Sequence, residues 1–223
     1  MQPYLILRLA GPMQAWGQPT FEGTRPVAAF PTRSGLLGLL GACLGIRRED
    51  KSSLQGLADS VRFAVRCDER SVNDKPLTAS KLTDYHTVQQ AREDYRGLKS
   101  HETIQTWREY LCDAEFTVAV WCTPGASISL NELTEKSRKP VFTPYLGRRS
   151  CPLSQPLYLG ECRAPDPLAA LATFAATGVV YSEESLTEND RRIRVRDEPI
   201  ISLPRQFAAR DWFIVQQGGG SCI

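Results

Sequence analysis

Four short apolar runs, split by two helix-like segments, constrain this chain of 223 residues more than any other feature. Residues 4–10, 61–67, 116–122 and 157–162 are rich in β-favouring side chains and read as strands. Residues 32–46 and 129–139 read as helices instead. The order strand, helix, strand, strand, helix, strand is the split-βαβ pattern of ferredoxin-like folds, which the RNA-recognition module shares. The expected fold class is therefore α+β: a ferredoxin-like, RNA-recognition-like βαββαβ domain over residues 1–163. A small C-terminal β-rich region, 164–223, follows it.

The first helix has Thr32 or Ser34 as a cap and Leu36, Leu37, Leu39, Leu40 and Leu44 as its core face. Gly35, Gly38, Gly41 and Gly45 recur through it, each weakening a helix by up to about 1 kcal/mol relative to alanine. Close approach of another backbone would offset that loss, either a strand of the same domain or a bound chain. Arg33 and Ser34 make its start an exposed N-terminus suited to an anion.

A short hairpin would suffice between the second and third strands, yet residues 70–114 intervene. A structureless loop of that length does not suit a compact domain. The segment carries Tyr85, His86, Tyr95, Trp107 and Tyr110, and its charges from 81 to 110 cancel. It reads as an inserted thumb, 79–114, that carries aromatics outward, or as a lid folded onto the domain's own sheet. Beyond residue 163, Asp166-Pro167 opens a helix to about residue 176. Strand-like pieces follow at 179–181, 192–196, 199–202 and 212–215. In Arg192-Ile-Arg-Val-Arg196 every second side chain is basic, so one strand face is cationic. A solvated sheet face is the favoured reading there, an RNA or partner contact the other.

Charge is informative through its distribution. The net charge is only +2, but of 27 basic residues six are lysine and the rest arginine, the better residue for forking onto phosphate and stacking on bases. Residues 1–48 hold Arg8, Arg25, Arg33, Arg47 and Arg48 against Glu22 alone, and 136–163 hold six basic residues against Glu161 alone. One basic face on a near-neutral body is the footprint of a surface that binds nucleic-acid backbone. Seven scattered cysteines, never as Cys-x-x-Cys, argue against a disulfide framework or a zinc site. No apolar stretch approaches the roughly 18 residues of a membrane span. The N-terminus lacks the basic start and cleavage site of a signal peptide, so a cytoplasmic location is expected, with no cofactor and no metal.

The run Phe142-Thr-Pro-Tyr-Leu-Gly-Arg-Arg-Ser-Cys-Pro152 gathers Tyr145, a bend at Gly147, and the paired Arg148 and Arg149 before Ser150. Two guanidinium groups and a flat ring suit phosphate and base; a solvated loop whose arginines pair with nearby acids fits the same residues. Phosphate-cradling, zinc-protease and serine-nucleophile motifs are all missing. His86 and His101 both fall in the thumb. Lys99 and His101, with Tyr95, could supply a metal-free ribonuclease with a proton acceptor and a cation for the phosphorane.

Several strings are highly specific: Tyr4-Leu-Ile-Leu-Arg-Leu-Ala-Gly-Pro-Met-Gln-Ala-Trp-Gly17, Phe30-Pro-Thr-Arg-Ser-Gly-Leu-Leu-Gly-Leu-Leu-Gly-Ala42, Glu93-Asp-Tyr-Arg-Gly-Leu-Lys-Ser-His101 and Thr143-Pro-Tyr-Leu-Gly-Arg-Arg-Ser-Cys-Pro-Leu153. On them the chain resembles, over nearly its whole length, the CasD family of the type I-E CRISPR surveillance complex, Cascade. The resemblance implies an RNA-recognition-like fold with a long thumb. It also implies a non-catalytic subunit that binds the 5′ handle of CRISPR RNA and anchors neighbouring subunits for antiviral DNA targeting. Its neighbours would be the backbone-forming CasC and the large CasA, with target DNA engaged only indirectly. Carried over, Arg33, Ser34, Tyr145, Arg148 and Arg149 would cradle the handle, with Arg25, His101 and Ser150 in the same RNA-binding set. Trp107 and Arg108 would wedge against the guide strand. A related subtype uses the equivalent subunit to cut precursor RNA, so a metal-independent endoribonuclease built on Lys99, His101 and Tyr95 is the alternative.

Overall fold

The computed structural model describes residues 1–20, 23–89, 103–203 and 206–215. In chain order its elements are β1 (Gln2–Ala10), β2 (Met13–Gln14), β3 (Thr24–Arg25), α1 (Arg33–Leu44), α2 (Lys51–Ser60) and β4 (Val61–Asp68). Next come β5 (Arg70–Val72), β6 (Lys75–Leu77), β7 (Ser80–Gln89), β8 (Thr103–Cys112), β9 (Glu115–Cys122) and α3 (Leu130–Arg138). The last are β10 (Tyr158–Ala164), α4 (Pro167–Ala172), β11 (Gly178–Ser182), β12 (Arg191–Pro199) and β13 (Phe207–Val215).

The architecture is mixed α/β, built on one seven-stranded antiparallel sheet in the order β10-β1-β9-β4-β11-β13-β12. The strands β1, β4 and β9 are apolar without strict alternation because both their faces are covered. Leu5, Leu7 and Leu9 pack with Leu36, Leu40 and Leu133 on the α1 and α3 side, whereas Tyr4 and Ile6 pack with Ala170 and Leu171 of α4 on the other. The four strands expected from the sequence occupy one half of this sheet, the fourth outermost, then the first, third and second. Because β11 pairs with β4, the strands of 164–223 lengthen the same sheet rather than closing a separate one.

The intervening 70–114 segment is ordered mainly by β7 and β8, which pair from Ser80↔Cys112 to Gln89↔Thr103. Nine of the ten β7 residues are exposed, so this hairpin leaves the body instead of covering the sheet. At its base β8 also pairs with β2, antiparallel, and with β3, parallel.

Three expectations need correction. Residues 200–202 form a turn after β12, not a strand, and α4 ends at Ala172. The glycine-studded α1 receives an aromatic ring, not a backbone: a Cβ on Gly35 would lie 2.8 Å from the Trp16 indole. The helix α2 escaped the sequence reading because it is mostly polar, although Asp50 caps it by accepting from Ser53 N at 3.0 Å.

Candidate nucleic-acid interface

A groove of about 860 Å³ runs between the start of α1, the Ala15–Gly17 segment, Gly147 and the β12–β13 turn. Its floor is apolar, with Trp16, Leu37 and Phe207. Arg48, Lys51 and Arg196 line it, and among the described lining residues there is no Asp or Glu. Sequence reasoning did not select these three as site residues; the signals available were that Arg48 belongs to the acid-poor first 48 residues and that Arg196 ends the strand whose every second residue is basic.

Gly147 fits here for a steric reason. Its φ is +85°, and a Cβ would lie 2.0 Å from the Ala15 carbonyl oxygen. The loop is held against the body by Ala15 N donating to Leu146 O at 3.0 Å and by the buried Leu146 and Cys151 side chains. Leu146 N donates to Cys151 O at 2.8 Å, closing a tight turn that leaves Arg149 and Ser150 exposed and Tyr145 half-buried. Arg148 is partly committed. It stacks 4.7 Å above the Tyr110 ring and donates to Glu109 O at 3.2 Å and to Arg25 O at 3.4 Å.

That commitment assembles a cluster. Arg25 pairs with Arg108 in parallel register, so the two side chains leave the same face, and Tyr110 lies two residues along β8 on that face. Arg148, bound to the Arg25 carbonyl and stacked on Tyr110, therefore meets Arg25 and Arg108 on one face of the hairpin. Arg108 spends one N–H on Thr106 Oγ1 at 3.1 Å. Trp107 does not share this face, because successive strand residues point to opposite sides. It lies beside Tyr85, ring centroids 5.5 Å apart, and the two are 44% and 50% exposed. Trp107 and Arg108, both expected to wedge against the guide strand, thus leave opposite faces of β8, and on the second face Asp84 is the cross-strand partner of Arg108.

Arg33 is the main correction. It is 3% exposed and faces inward. One Nη donates to both carboxylate oxygens of Glu183 at 2.9 and 3.0 Å, the other to Ala58 O at 2.6 Å, and Nε lies 2.7 Å from Glu198. Arg210 pairs with Glu183 as well, so two guanidiniums share the buried carboxylate. Burial alone would lower the Arg33 pKa, but Glu183 and Glu198 more than reverse this and raise it. The start of α1 is not open to an anion either: Arg33 N donates to Asp197 at 2.7 Å, and the same carboxylate oxygen accepts from Trp212 Nε1. Burial raises the Asp197 carboxyl above its ordinary range, against the pull of the Arg33 N–H. Ser34 remains on the groove wall.

Lys99, His101 and Tyr95 lie outside the described residues. His86 is on β7, 2.5 Å from Asp84. Among the described residues, no three or more His, Cys, Asp or Glu are grouped to hold a metal, and no helix is long and apolar enough to cross a membrane.

Comparison with known proteins adds four findings. Residues 4–213 match the family described as CRISPR-associated protein (Cas_Cas5). The chain is 65% identical over 219 residues, 98% of each chain, to the CRISPR system Cascade subunit CasD of Escherichia coli strain K12. It is similar to a chain of a solved "CRISPR RNA-guided surveillance complex", with TM-score 0.70, 28% identity and coverage of 95% of this chain and 89% of that one. A solved "Cas protein" matches with TM-score 0.62 and 28% identity over 95% and 93% of the two chains.

Proposed function

Since the chain belongs to the Cas5 family of CRISPR-associated proteins, we propose that it is the CasD-type subunit of a CRISPR RNA-guided surveillance complex and grips the 5′ handle of the guide RNA without cutting it. The observation that carries this reading is the convergence of Arg25, Arg108 and Arg148 beside a groove that holds three further cations and no described acid. Guanidiniums neutralise phosphates, while the exposed Tyr85 and Trp107 on the opposite hairpin face offer rings for unpaired bases. The strand order fourth, first, third, second supports reading 1–163 as a ferredoxin-like, RNA-recognition-like unit, with 79–114 as its thumb and 164–223 as an extension of its sheet. In such an assembly CasC and CasA are the neighbours, and target DNA is reached through the guide.

The test is handle-RNA binding by the full chain across a salt series. In an Arg108→Ala, Arg149→Ala variant, affinity falls and the slope of log affinity against log salt shrinks by about 1.4, since each lost single-strand phosphate contact removes about 0.7. An unchanged slope would leave a protein-only scaffold. Incubation with repeat-containing RNA in EDTA should leave the RNA whole; cleavage would overturn the non-catalytic part.

A further inference from the structure

The outer edge of the sheet carries a row of arginines, of which only Arg196 also lines the groove. On β12, Ile193 and Val195 pack against the core, so Arg192, Arg194 and Arg196 leave the other face. The side chains of Arg192 and Arg194 are 71% and 69% exposed. They share a single carboxylate, Asp211, at 3.8 and 3.2 Å, which leaves one positive charge uncompensated. Arg196 reaches the groove, where Arg48 and Lys51 continue the positive charge. Alternate strand residues are about 6.6 Å apart, so the three guanidiniums form an evenly stepped row. Because β12 is the last strand of the sheet, the N–H groups along its outer edge have no strand partner among the described residues and can donate to phosphate oxygens.

The chemistry of this row differs from that of the hairpin. No aromatic side chain of β12 or β13 is among the exposed large hydrophobics; on this face Phe213, opposite Arg192, is half-buried and offers an unpaired base far less than the exposed Tyr85 and Trp107 of the hairpin. Single-strand binding relies on such rings. A duplex hides its base faces and offers closely spaced phosphates, roughly one charge per 1.7 Å of axis. We propose that β12 is a sequence-independent docking rail for the backbone of double-stranded DNA, with Arg192 and Arg194 as its phosphate contacts and Arg196 joining it to the groove.

The test titrates the full chain with a short duplex DNA of random sequence over a salt series, with handle RNA measured in parallel. Arg192→Ala with Arg194→Ala weakens duplex binding and reduces the salt slope by about 1.8, from about 0.9 per phosphate contact. Asp211→Asn, which frees both guanidiniums, tightens duplex binding more than handle-RNA binding; the added net charge alone would strengthen both alike. The proposal falls if the unaltered chain does not bind duplex, if the variants leave affinity and slope unchanged, or if the double variant weakens handle RNA as strongly as duplex. Duplex binding with no handle binding would sustain the rail while removing the handle reading.

Discussion

Replacing Arg33 by Met tests whether the buried guanidinium is a structural tie or an RNA contact. The substitution keeps an unbranched side chain of similar reach but removes every donor. Glu183, fully buried, keeps Arg210 and the Phe63 N–H, the Ala58 carbonyl loses its side-chain donor, and the Val61 carbonyl keeps only Arg62. Removing one partner of a buried ion pair destabilises by about 3–5 kcal/mol, because the remaining charge is left in a medium that solvates it poorly. For a domain of this size each kcal/mol lowers the melting temperature by about 2–4 °C, so a drop of roughly 6–20 °C is expected. Urea and thermal unfolding measure it, and handle-RNA binding is then assayed where the variant is still folded. Arg33→Lys, which retains the charge but loses the fork, should fall between the two. Unaltered stability together with lost RNA binding would refute the reasoning and return Arg33 to the interface.

Gly147→Ala should destabilise by more than the roughly 1–2 kcal/mol of a left-handed residue, because its Cβ meets the Ala15 carbonyl; a melting curve equal to that of the parent would contradict this. Trp107→Ala should leave stability unchanged and weaken handle RNA by about 1–3 kcal/mol, the worth of one stacked base; undiminished affinity would exclude Trp107 as a platform. The Cys43 thiol is pushed up to about 12 by burial, from 9.0. Since the folded pKa lies above the unfolded one, its contribution is intact below about pH 9 and is lost as pH rises toward 12, by about 1.4 kcal/mol per unit. Unfolding measured along an alkaline series should show that decline, and Cys43→Ala should remove part of it. A parallel decline in the variant would assign it to other groups.

Local pattern was sufficient for much of the fold. The runs at 61–67 and 116–122 are strands wherever they are placed, since an apolar segment of that length must be covered on both faces. Ser129 and Thr32 both act as caps, because a hydroxyl at that position satisfies a helix N–H whatever surrounds it. The hairpin was legible too, from a polar and aromatic insertion too long to be structureless. The helix α2 was not, since only Leu54, Leu57 and Ala58 mark its inner face.

Chain order and composition determined the strands β1, β4, β9 and β10, the helices α1 and α3, the long insertion between β4 and β9, and that arginine carries the positive charge. Which arginines face a ligand was decided only by tertiary contacts. Arg33 looked exposed beside a helix cap until Glu183 and Glu198 met it across more than 140 positions of sequence. Arg148 found Tyr110 and Arg25, and Arg196 joined Arg48 and Lys51, by the same long-range closure of the sheet. The physical reason is that propensity and capping act within a turn or a strand. Desolvation and charge pairing depend on what the rest of the chain brings within a few ångströms.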